Sequence, residues 1–326
     1  MRSAPETSVL LHSLQRALSI PESGPEISDR IVAFEADTLK RHPVNRQAVV
    51  DEFRSLGNVD AARIVSKLPV QEDGNLDPEA MDRLLIKVHC EMQRISEEFQ
   101  HGQRAADLLN PVLAAISEGQ ARRPLRIVDI GCGTGFVLRW LAANNALSDE
   151  VELLGADYHP ALIEEACRLA EQENLRCRFV VGNAFRLDYP ATVYISTGIL
   201  HHFRGSGLVD LFAQHNRPET CAFVHFDFHP SVLSPFGSWL FHAVRMREAL
   251  AKHDGVLSAV RAHKSEELLS AARTGAPDFV SAIYGTRLWG LPIPRAFHSL
   301  VGIRPEFRDA FVAHMRGKIA SLGVIE

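Results

Sequence analysis

The stretch Arg126-Ile-Val-Asp-Ile-Gly-Cys-Gly-Thr-Gly-Phe136 carries the strongest indication of the fold of this chain. Its apolar residues at 127, 128 and 130 predict a buried strand, and three glycines follow at alternate positions, 131, 133 and 135. A helical pattern continues from 137 to 141. Glycine has no Cβ, so such a turn can lie close against a ligand and direct backbone N–H groups at it. A strand, a tight glycine turn and a helix therefore predict the nucleotide-binding corner of an α/β sheet.

Length, composition and charge narrow the classes of function. The chain has 326 residues, 46% hydrophobic and 23% charged, as in a globular protein with an ample core. A formal net charge of −5 argues against nucleic acid as a partner, because non-specific binding needs a basic face. No apolar stretch is long enough for a membrane span and the N-terminus lacks a signal-peptide pattern, so we expect a cytoplasmic protein with no membrane partner. The five cysteines are scattered, which favours reduced thiols over disulfides or zinc.

Strand and helix patterns alternate from residue 124 onward. Strands are predicted at 125–130, 151–156, 177–181, 192–196 and 221–227, with two more at 278–286 and 296–303. Helical patterns separate them, and a terminal helix is expected from Pro305 to about Leu322. The order predicts an α/β fold with a doubly wound, mostly parallel seven-stranded sheet that carries helices on both faces.

The region before the sheet has helical patterns only, among them one over residues 29–40 and one that begins at Asp77-Pro78-Glu79. We therefore expect two domains. Residues 1–118 form an all-helical region that acts as a lid over the pocket or as a homodimer contact. Residues 119–326 form the sheet domain, with a helical insertion at about 231–274.

Two details of the glycine turn decide against the common nucleotide motifs. The dinucleotide fingerprint G-x-G-x-x-G needs a third glycine for close helix–strand packing, and Phe136 stands there. No lysine follows, which excludes a P-loop. The second strand ends in Asp157, an acid that can accept hydrogen bonds from both ribose hydroxyls, and Asn183 after the third strand can pair with an adenine edge.

Four motifs follow one another along the chain: VDIGCGTGF (128–136), LLGADYHPALIEEA (153–166), VVGNAFRL (180–187) and ISTGILHHF (195–203). With them the chain resembles the class I S-adenosylmethionine-dependent methyltransferases, and the sheet pattern extends the resemblance over roughly residues 120–326. The resemblance implies S-adenosylmethionine as cofactor and S-adenosylhomocysteine as product. It implies that Asp129 and the glycine turn hold the methionine portion, Asp157 the ribose, and Asn183 with Ala184 the adenine. Many members carry aspartate where Asn183 stands. The cofactor-binding residues predicted on this basis are Asp129, Gly131, Cys132, Gly133, Gly135, Asp157, Tyr158, Asn183, Ala184, Phe185 and Thr197.

Methyl transfer from a sulfonium requires alignment of the nucleophile and exclusion of water. A general base is needed only if the nucleophile holds a proton of high pKa. His201 and His202, which follow the fourth strand, are the candidate catalytic residues; packing or capping is the alternative role for both. His225, Asp227 and His229 share one face of the fifth strand, which is typical of a polar strand end that lines a pocket, so no metal is predicted.

The absence of one motif limits the class of methyl acceptor. The D/N-P-P-Y motif of amino-methylating enzymes is missing, since Ser196-Thr-Gly-Ile stands in its place. We therefore expect a small-molecule metabolite as substrate, methylated at oxygen, with carbon or nitrogen as alternatives. The predicted substrate-binding residues are His89, Arg94, His225, Asp227, His229, Trp239, Arg245 and Tyr284. Two other functions stay open at this point: a non-catalytic cofactor-binding partner or regulatory protein, and a nicotinamide-dependent oxidoreductase.

Overall fold

A computed structural model describes residues 24–119, 124–231, 234–286, 297–315 and 322–325. The chain forms two compact units. The helical unit comprises residues 1–94 and 230–262, and the sheet unit comprises residues 95–229 and 263–326. Part of the predicted insertion thus belongs with the N-terminal residues. The predicted domain boundary between residues 118 and 119 stays a prediction.

Helices form most of the described chain up to residue 118, and strands alternate with helices from residue 125 onward. The helices are α1 (Ser28–Ile31), α2 (Arg46–Ser55), α3 (Val59–Val65), α4 (Pro78–Glu98), α5 (His101–Glu118), α6 (Phe136–Ala143), α7 (Pro160–Gln172), α8 (Ser206–Ala213), α9 (Ser234–Arg245), α10 (Ala249–Val260), α11 (Ser265–Gly275) and α12 (Pro305–Met315). The strands are β1 (Ala33–Phe34), β2 (Arg41–His42), β3 (Leu125–Ile130), β4 (Val151–Asp157), β5 (Arg178–Val181), β6 (Val193–Thr197), β7 (Ala222–Phe228), β8 (Val280–Thr286), β9 (Phe297–Ile303) and β10 (Leu322–Ile325). A 3-10 turn spans Leu200–His202.

The described residues from 24 to 118 are mostly helical, as predicted, but one predicted helix is replaced by a two-stranded ribbon. Instead of continuing over 29–40, α1 ends at Ile31, and β1 pairs antiparallel with β2. The hydroxyl of Thr38 bonds to Glu35 and accepts from the backbone N–H of Lys40. Such local side-chain bonds compete with helical ones, so the chain reverses here.

The main sheet confirms the predicted fold class and adds one strand. Its eight strands run in the order β10-β8-β9-β7-β6-β3-β4-β5, and β3 to β7 are parallel. The other three are antiparallel to their neighbours. The eighth strand, β10, begins at Leu322, where the sequence pattern predicts the end of a helix. That helix, α12, is described over Pro305–Met315, and the rest of its predicted length, residues 316–321, lies outside the described residues. Because both β4 and β6 flank β3, the strand order reverses there, and ligands of such sheets bind outside the carboxyl ends of the strands at this point.

Helices cover both faces of the sheet, which explains why β3 is apolar at successive positions. Ile127 packs on one face with α5, α6, α7 and α12, and Val128 on the other with α8 and α11. None of the helices that the structure describes is long and apolar enough to cross a membrane.

Candidate functional site

The glycine turn at the end of β3 has a backbone that only glycine adopts without strain. Gly131, Gly133 and Gly135 have φ angles of +66°, +54° and +74°, in the left-handed region. The N–H of Gly131 donates to the carbonyl of Ala156 at 2.8 Å, which joins the turn to the end of β4. A Cβ on Gly135 would lie 2.3 Å from the ring of Phe179. Side chains are thus excluded from the turn by both strain and space.

Asp157, at the end of β4, holds this turn in place through hydrogen bonds to its carboxylate. Its carboxylate is buried and accepts from the backbone N–H of Gly133 at 2.9 Å and of His159 at 3.0 Å. The second bond holds His159, the residue that directly precedes α7, so Asp157 also fixes the turn that leads into this helix. Each carboxylate oxygen has a second lone pair, so the two oxygens can still accept from ribose hydroxyls.

Asp129, the penultimate residue of β3, is a buried acid with an unsatisfied atom. Its Oδ1 has no hydrogen-bond partner in the described part of the chain. Burial, with the nearby charge of Asp157, raises its pKa from 3.8 to about 8. A buried carboxylate in this state favours a cationic partner. Asp129 therefore fits the amino group of a methionine portion held against the glycine turn.

The remaining predicted cofactor residues lie at the ends of neighbouring strands. Asn183, after β5, accepts from the N–H of Phe185 through Oδ1 at 2.8 Å, which closes a tight turn around Ala184. Tyr158 and Phe185 are exposed, and Thr197 at the end of β6 is half-buried. Half-buried Cys132 lies within the glycine turn, where burial raises the pKa of its thiol. All eleven predicted residues thus lie at or just after the carboxyl ends of β3 to β6 in the sheet unit.

His201 and Asp227 form a buried pair beside this edge. Nδ1 of His201 lies 2.8 Å from Oδ1 of Asp227, and the backbone N–H of His201 donates to Oδ2 at 2.9 Å. The N–H of Phe228 donates to Oδ1 at 2.7 Å. Burial alone would raise the pKa of Asp227, but His201 and the two backbone donors outweigh it and hold the pKa below its usual range. The carboxylate is therefore an anion that directs Nε2 of His201 away from itself.

His202 lies beside this pair, with its ring centroid 4.4 Å from that of His201. It is half-buried, whereas His201 is buried. Of the two candidate bases, His201 is the one whose ring is positioned by the buried carboxylate of Asp227.

His225 shares a strand face with Asp227, as the sequence predicts, but it lies inside the sheet unit. Its Nδ1 is 2.7 Å from Oγ of Ser196, and its Nε2 is 3.0 Å from Nε2 of buried His215. Burial lowers the pKa of His225 to about 3. Its side chain is thus committed to a neutral internal network rather than exposed at the strand end.

The structure separates the other predicted substrate residues. His229 follows β7 and has its Nδ1 3.5 Å from Nδ1 of His298. Tyr284 is buried on β8 and packs edge-to-face on Phe311 of α12, so it belongs to the core. The remaining four belong to the helical unit: His89, Arg94, Trp239 and Arg245.

Two of the helical-unit residues are tied to each other. The guanidinium of Arg94 donates to the carbonyl of Arg245 at 2.8 Å, at the end of α9. Nδ1 of His89 lies 2.9 Å from the carbonyl of Leu85, one turn earlier in α4. Trp239 is exposed and stacks on Phe236.

Two buried histidines near Asp227 were not predicted from the sequence. His298 on β9 is paired with Asp227 across the β7–β9 ladder. His101 begins α5, and the charge of Asp227 acts on it. The signal that could have found His298 is its place in a strand that pairs with β7, but that pairing joins residues far apart in the sequence.

A family model of the methyltransferase domain matches residues 127–218, which contain the glycine turn, Asp157, Asn183 and His201. This chain carries a class I S-adenosylmethionine-dependent methyltransferase domain. The predicted family is thereby confirmed. So is the predicted cofactor, because S-adenosylmethionine is the methyl donor of this class.

Two curated relatives of this methyltransferase domain are demethylmenaquinone methyltransferases. The one from Deinococcus radiodurans is 31% identical over 122 residues, which are 34% of this chain and 49% of that protein. The one from Thermus thermophilus is 30% identical over 108 residues, which are 30% of this chain and 48% of that protein. The chain thus spans about half the length of these relatives.

Solved structures of methyltransferases are similar to this chain at low identity. The magnesium protoporphyrin IX methyltransferase of Synechocystis, determined with bound S-adenosylhomocysteine, is 17% identical, with 79% of this chain and 99% of that chain covered. The TM-score is 0.42, too low to add to the methyltransferase assignment. The predicted site residues stay predictions, since these comparisons do not address them.

Proposed function

We propose that this chain transfers a methyl group from S-adenosylmethionine to an oxygen atom of a small-molecule metabolite. The observation that carries the proposal is the buried pair of His201, which follows β6, and Asp227, near the carboxyl end of β7, at the same sheet edge as the glycine turn. A base oriented by a carboxylate is what an acceptor hydroxyl requires. Acceptors that lack a proton of high pKa would not need it.

The donor side of the proposed site rests on the residues around the glycine turn. Asp129 would receive the amino group, because its Oδ1 is buried without a partner in the described chain. Asp157 would accept from the ribose hydroxyls while it holds the turn in place. Asn183 and Ala184 would border the adenine, in the tight turn that Asn183 closes.

When bound, S-adenosylmethionine supplies a methyl group on a cationic sulfur, and the sulfur keeps the electron pair of the broken S–CH3 bond. His201 acts on the acceptor. With Nδ1–H donated to Asp227, its Nε2 carries the lone pair that takes the hydroxyl proton. Asp227 then stabilises the imidazolium by its negative charge. The acceptor oxygen, freed of its proton, forms the new bond to carbon.

The test uses the full chain with S-adenosylmethionine and a panel of small hydroxylated compounds, and it measures S-adenosylhomocysteine formed. We expect turnover with at least one compound, and loss of turnover in His201→Gln with donor binding retained. The matched control is His314→Gln, an exposed histidine of the same unit. Donor binding without turnover on any compound would favour the non-catalytic alternative. Binding of NAD instead of S-adenosylhomocysteine would favour the oxidoreductase.

A further inference from the structure

The 3-10 turn that carries the proposed base is contacted by another buried histidine of the sheet unit. His263 lies two residues before α11 and is 2% exposed. Its Nε2 is 3.0 Å from the carbonyl oxygen of Leu200 and 2.9 Å from that of Phe203. Leu200 directly precedes His201, and Phe203 directly follows His202. One imidazole nitrogen therefore contacts both ends of the turn.

The partners of Nε2 determine where the ring of His263 carries its hydrogen. A backbone carbonyl only accepts hydrogen bonds, so Nε2 must carry the hydrogen and donate it. The carbonyl of Leu200 also accepts from the backbone N–H of Phe203, at 3.0 Å, which closes the turn. Hydrogen bonds in 3-10 turns have poor geometry. The imidazole thus supports a turn that is weak by itself.

The other ring nitrogen of His263 lies between two charged side chains. Nδ1 is 2.9 Å from Oε2 of Glu267, four residues later, and 3.0 Å from Nη1 of Arg204. A lone pair on Nδ1 accepts from the guanidinium, and a hydrogen on Nδ1 donates to the carboxylate. Both charge states of the ring keep the hydrogen on Nε2. The contact with the turn is therefore available in either state.

The turn and the helix that follows His263 are anchored in one apolar core. Leu268 and Leu269 of α11 belong to the same buried cluster as Leu200. On the other side of the turn, the backbone N–H of His201 donates to Oδ2 of Asp227 at 2.9 Å. The turn is therefore held between β7 and the residue that leads into α11, and side chains supported in this way keep a site in one geometry.

We infer that His263 is a positioning residue for the proposed methyl transfer, and that its Nε2–H holds the turn so that His201 stays aligned with Asp227 and the acceptor. A displacement of about 1 Å at a reacting group can lower a rate by about 10²-fold. This inference rests on the proposed function and deepens it, because it names what fixes the base. His263 acts through His201, which alone takes the proton.

Two amide variants separate the two sides of the ring. The side-chain nitrogen of glutamine reaches about as far as Nε2 of histidine, and that of asparagine only about as far as Nδ1. His263→Gln therefore keeps a donor for the turn, whereas His263→Asn keeps only contacts on the side of Arg204 and Glu267. The matched control is Glu266→Gln, an exposed change on α11.

Turnover is measured with S-adenosylmethionine and an acceptor found in the hydroxyl panel. We expect His263→Asn to lower kcat by about 10²-fold and kcat of His263→Gln to exceed that of His263→Asn by about tenfold or more. KM and S-adenosylhomocysteine affinity should change little in either variant, and kcat should stay unchanged in the control. A native kcat in His263→Asn, or equal loss of kcat in both variants, would overturn the inference.

Amide hydrogen exchange followed by NMR tests the contact without turnover and covers the case in which a variant fails to fold. Protection at His202 and Phe203 should be clear in the native chain, and should fall in His263→Asn by about tenfold or more relative to His263→Gln. Unprotected amides in the native chain, or equal protection in all three proteins, would overturn the inference. The expected protection without turnover on any compound would instead contradict the proposed function.

Discussion

Nδ1 of His201 and Oδ1 of Asp227 are 2.8 Å apart, and both side chains are only 3% exposed. The same carboxylate also accepts from the backbone N–H of His201, which fixes the position of the residue as well as its ring. An anion held in this way selects the tautomer with hydrogen on Nδ1. The geometry therefore prepares Nε2 of His201 to accept a proton.

Replacement of Asp227 by asparagine should lower kcat by roughly 10²–10⁴-fold, because the amide no longer stabilises the imidazolium or selects its tautomer. S-adenosylhomocysteine affinity, measured by calorimetry, should stay within about threefold of native, since Asp227 lies on β7, away from β3 and β4. Asp210→Asn, an exposed change on α8, is the matched control. A kcat of Asp227→Asn equal to that of the native chain would contradict the role of His201 as a base oriented by Asp227.

Asp129 should release a proton when the donor site fills. Its pKa of about 8 keeps it mostly protonated at pH 7, and a cationic amino group beside it favours the anion. Calorimetry of S-adenosylhomocysteine in buffers of different ionisation enthalpy should therefore report release of close to one proton at pH 7. In Asp129→Asn the release should disappear and affinity should fall. Equal proton release in native and variant would contradict this role.

The same carboxyl group affects stability without ligand. A folded-state pKa raised from 3.8 to about 8 contributes stability that is full below pH 3.8 and is lost as the pH rises through 8. Ligand-free Asp129→Asn should therefore melt at a higher temperature than the native chain at pH 8.5, with a smaller difference at pH 4.5. A variant that is less stable at pH 8.5 would argue that Asp129 is satisfied in the native fold.

Gly135→Ala should both destabilise the sheet unit and abolish donor binding. The new methyl group would stand 2.3 Å from the Phe179 ring, at a φ of +74° that costs a side chain about 1–2 kcal/mol. Gly207→Ala on α8 is the matched control, since its added Cβ has no atom within 4 Å apart from its neighbours in the chain and the backbone of its own helix. We expect it to be neutral or stabilising by up to ~1 kcal/mol. Urea unfolding measures the free energy of unfolding of both variants. Equal effects of the two changes would contradict the role of the turn.

Buried neutral histidines should make the protein acid-sensitive. The pKa values of His101, His225 and His298 are lowered from 6.5 to about 3, 3 and 4 in the folded state. The unfolded chain therefore binds protons as the pH falls below 6.5 while the folded chain does not, and each group should weaken folding by about 1.4 kcal/mol per pH unit well below 6.5. The raised pKa of Asp129 stabilises the folded chain as the pH falls, but the three histidines together outweigh this single group.

Urea unfolding between pH 7.5 and 5 checks this expectation. As the pH is lowered, the free energy of unfolding should fall steeply in the native chain and less steeply in His101→Phe. This variant loses no hydrogen bond within the described residues. His314→Phe, an exposed change, should keep the native slope. An unchanged slope in His101→Phe would mean that its ring is not held neutral by burial.

The donor half of the site could be predicted from the sequence because each of its parts is local. Each feature can be recognised from a short stretch of sequence: the glycine turn after an apolar strand, and Asp157 and Asn183 after the next two strands. The parallel strand order then brings these ends to one edge. The double role of Asp157, which holds Gly133 and also His159 before α7, could not be predicted because it joins two separate turns.

The acceptor half depends on contacts between distant residues, and the sequence predicts it less well. The period of two placed His225 and Asp227 on one face, but only the sheet order shows that His225 is enclosed with Ser196 and His215. His298 lies opposite Asp227 because β9 pairs with β7. Tyr284, predicted near the substrate, instead packs on α12 because β8 lies two strands beyond β7.

Calorimetric titration of S-adenosylhomocysteine into the native chain measures the proposed donor site itself. We expect saturable binding at one site per chain, lost in Gly133→Arg and in Asp157→Ala and retained in the exposed control Asp210→Asn. Absence of binding to the folded native chain, or equal binding by Gly133→Arg, would contradict it.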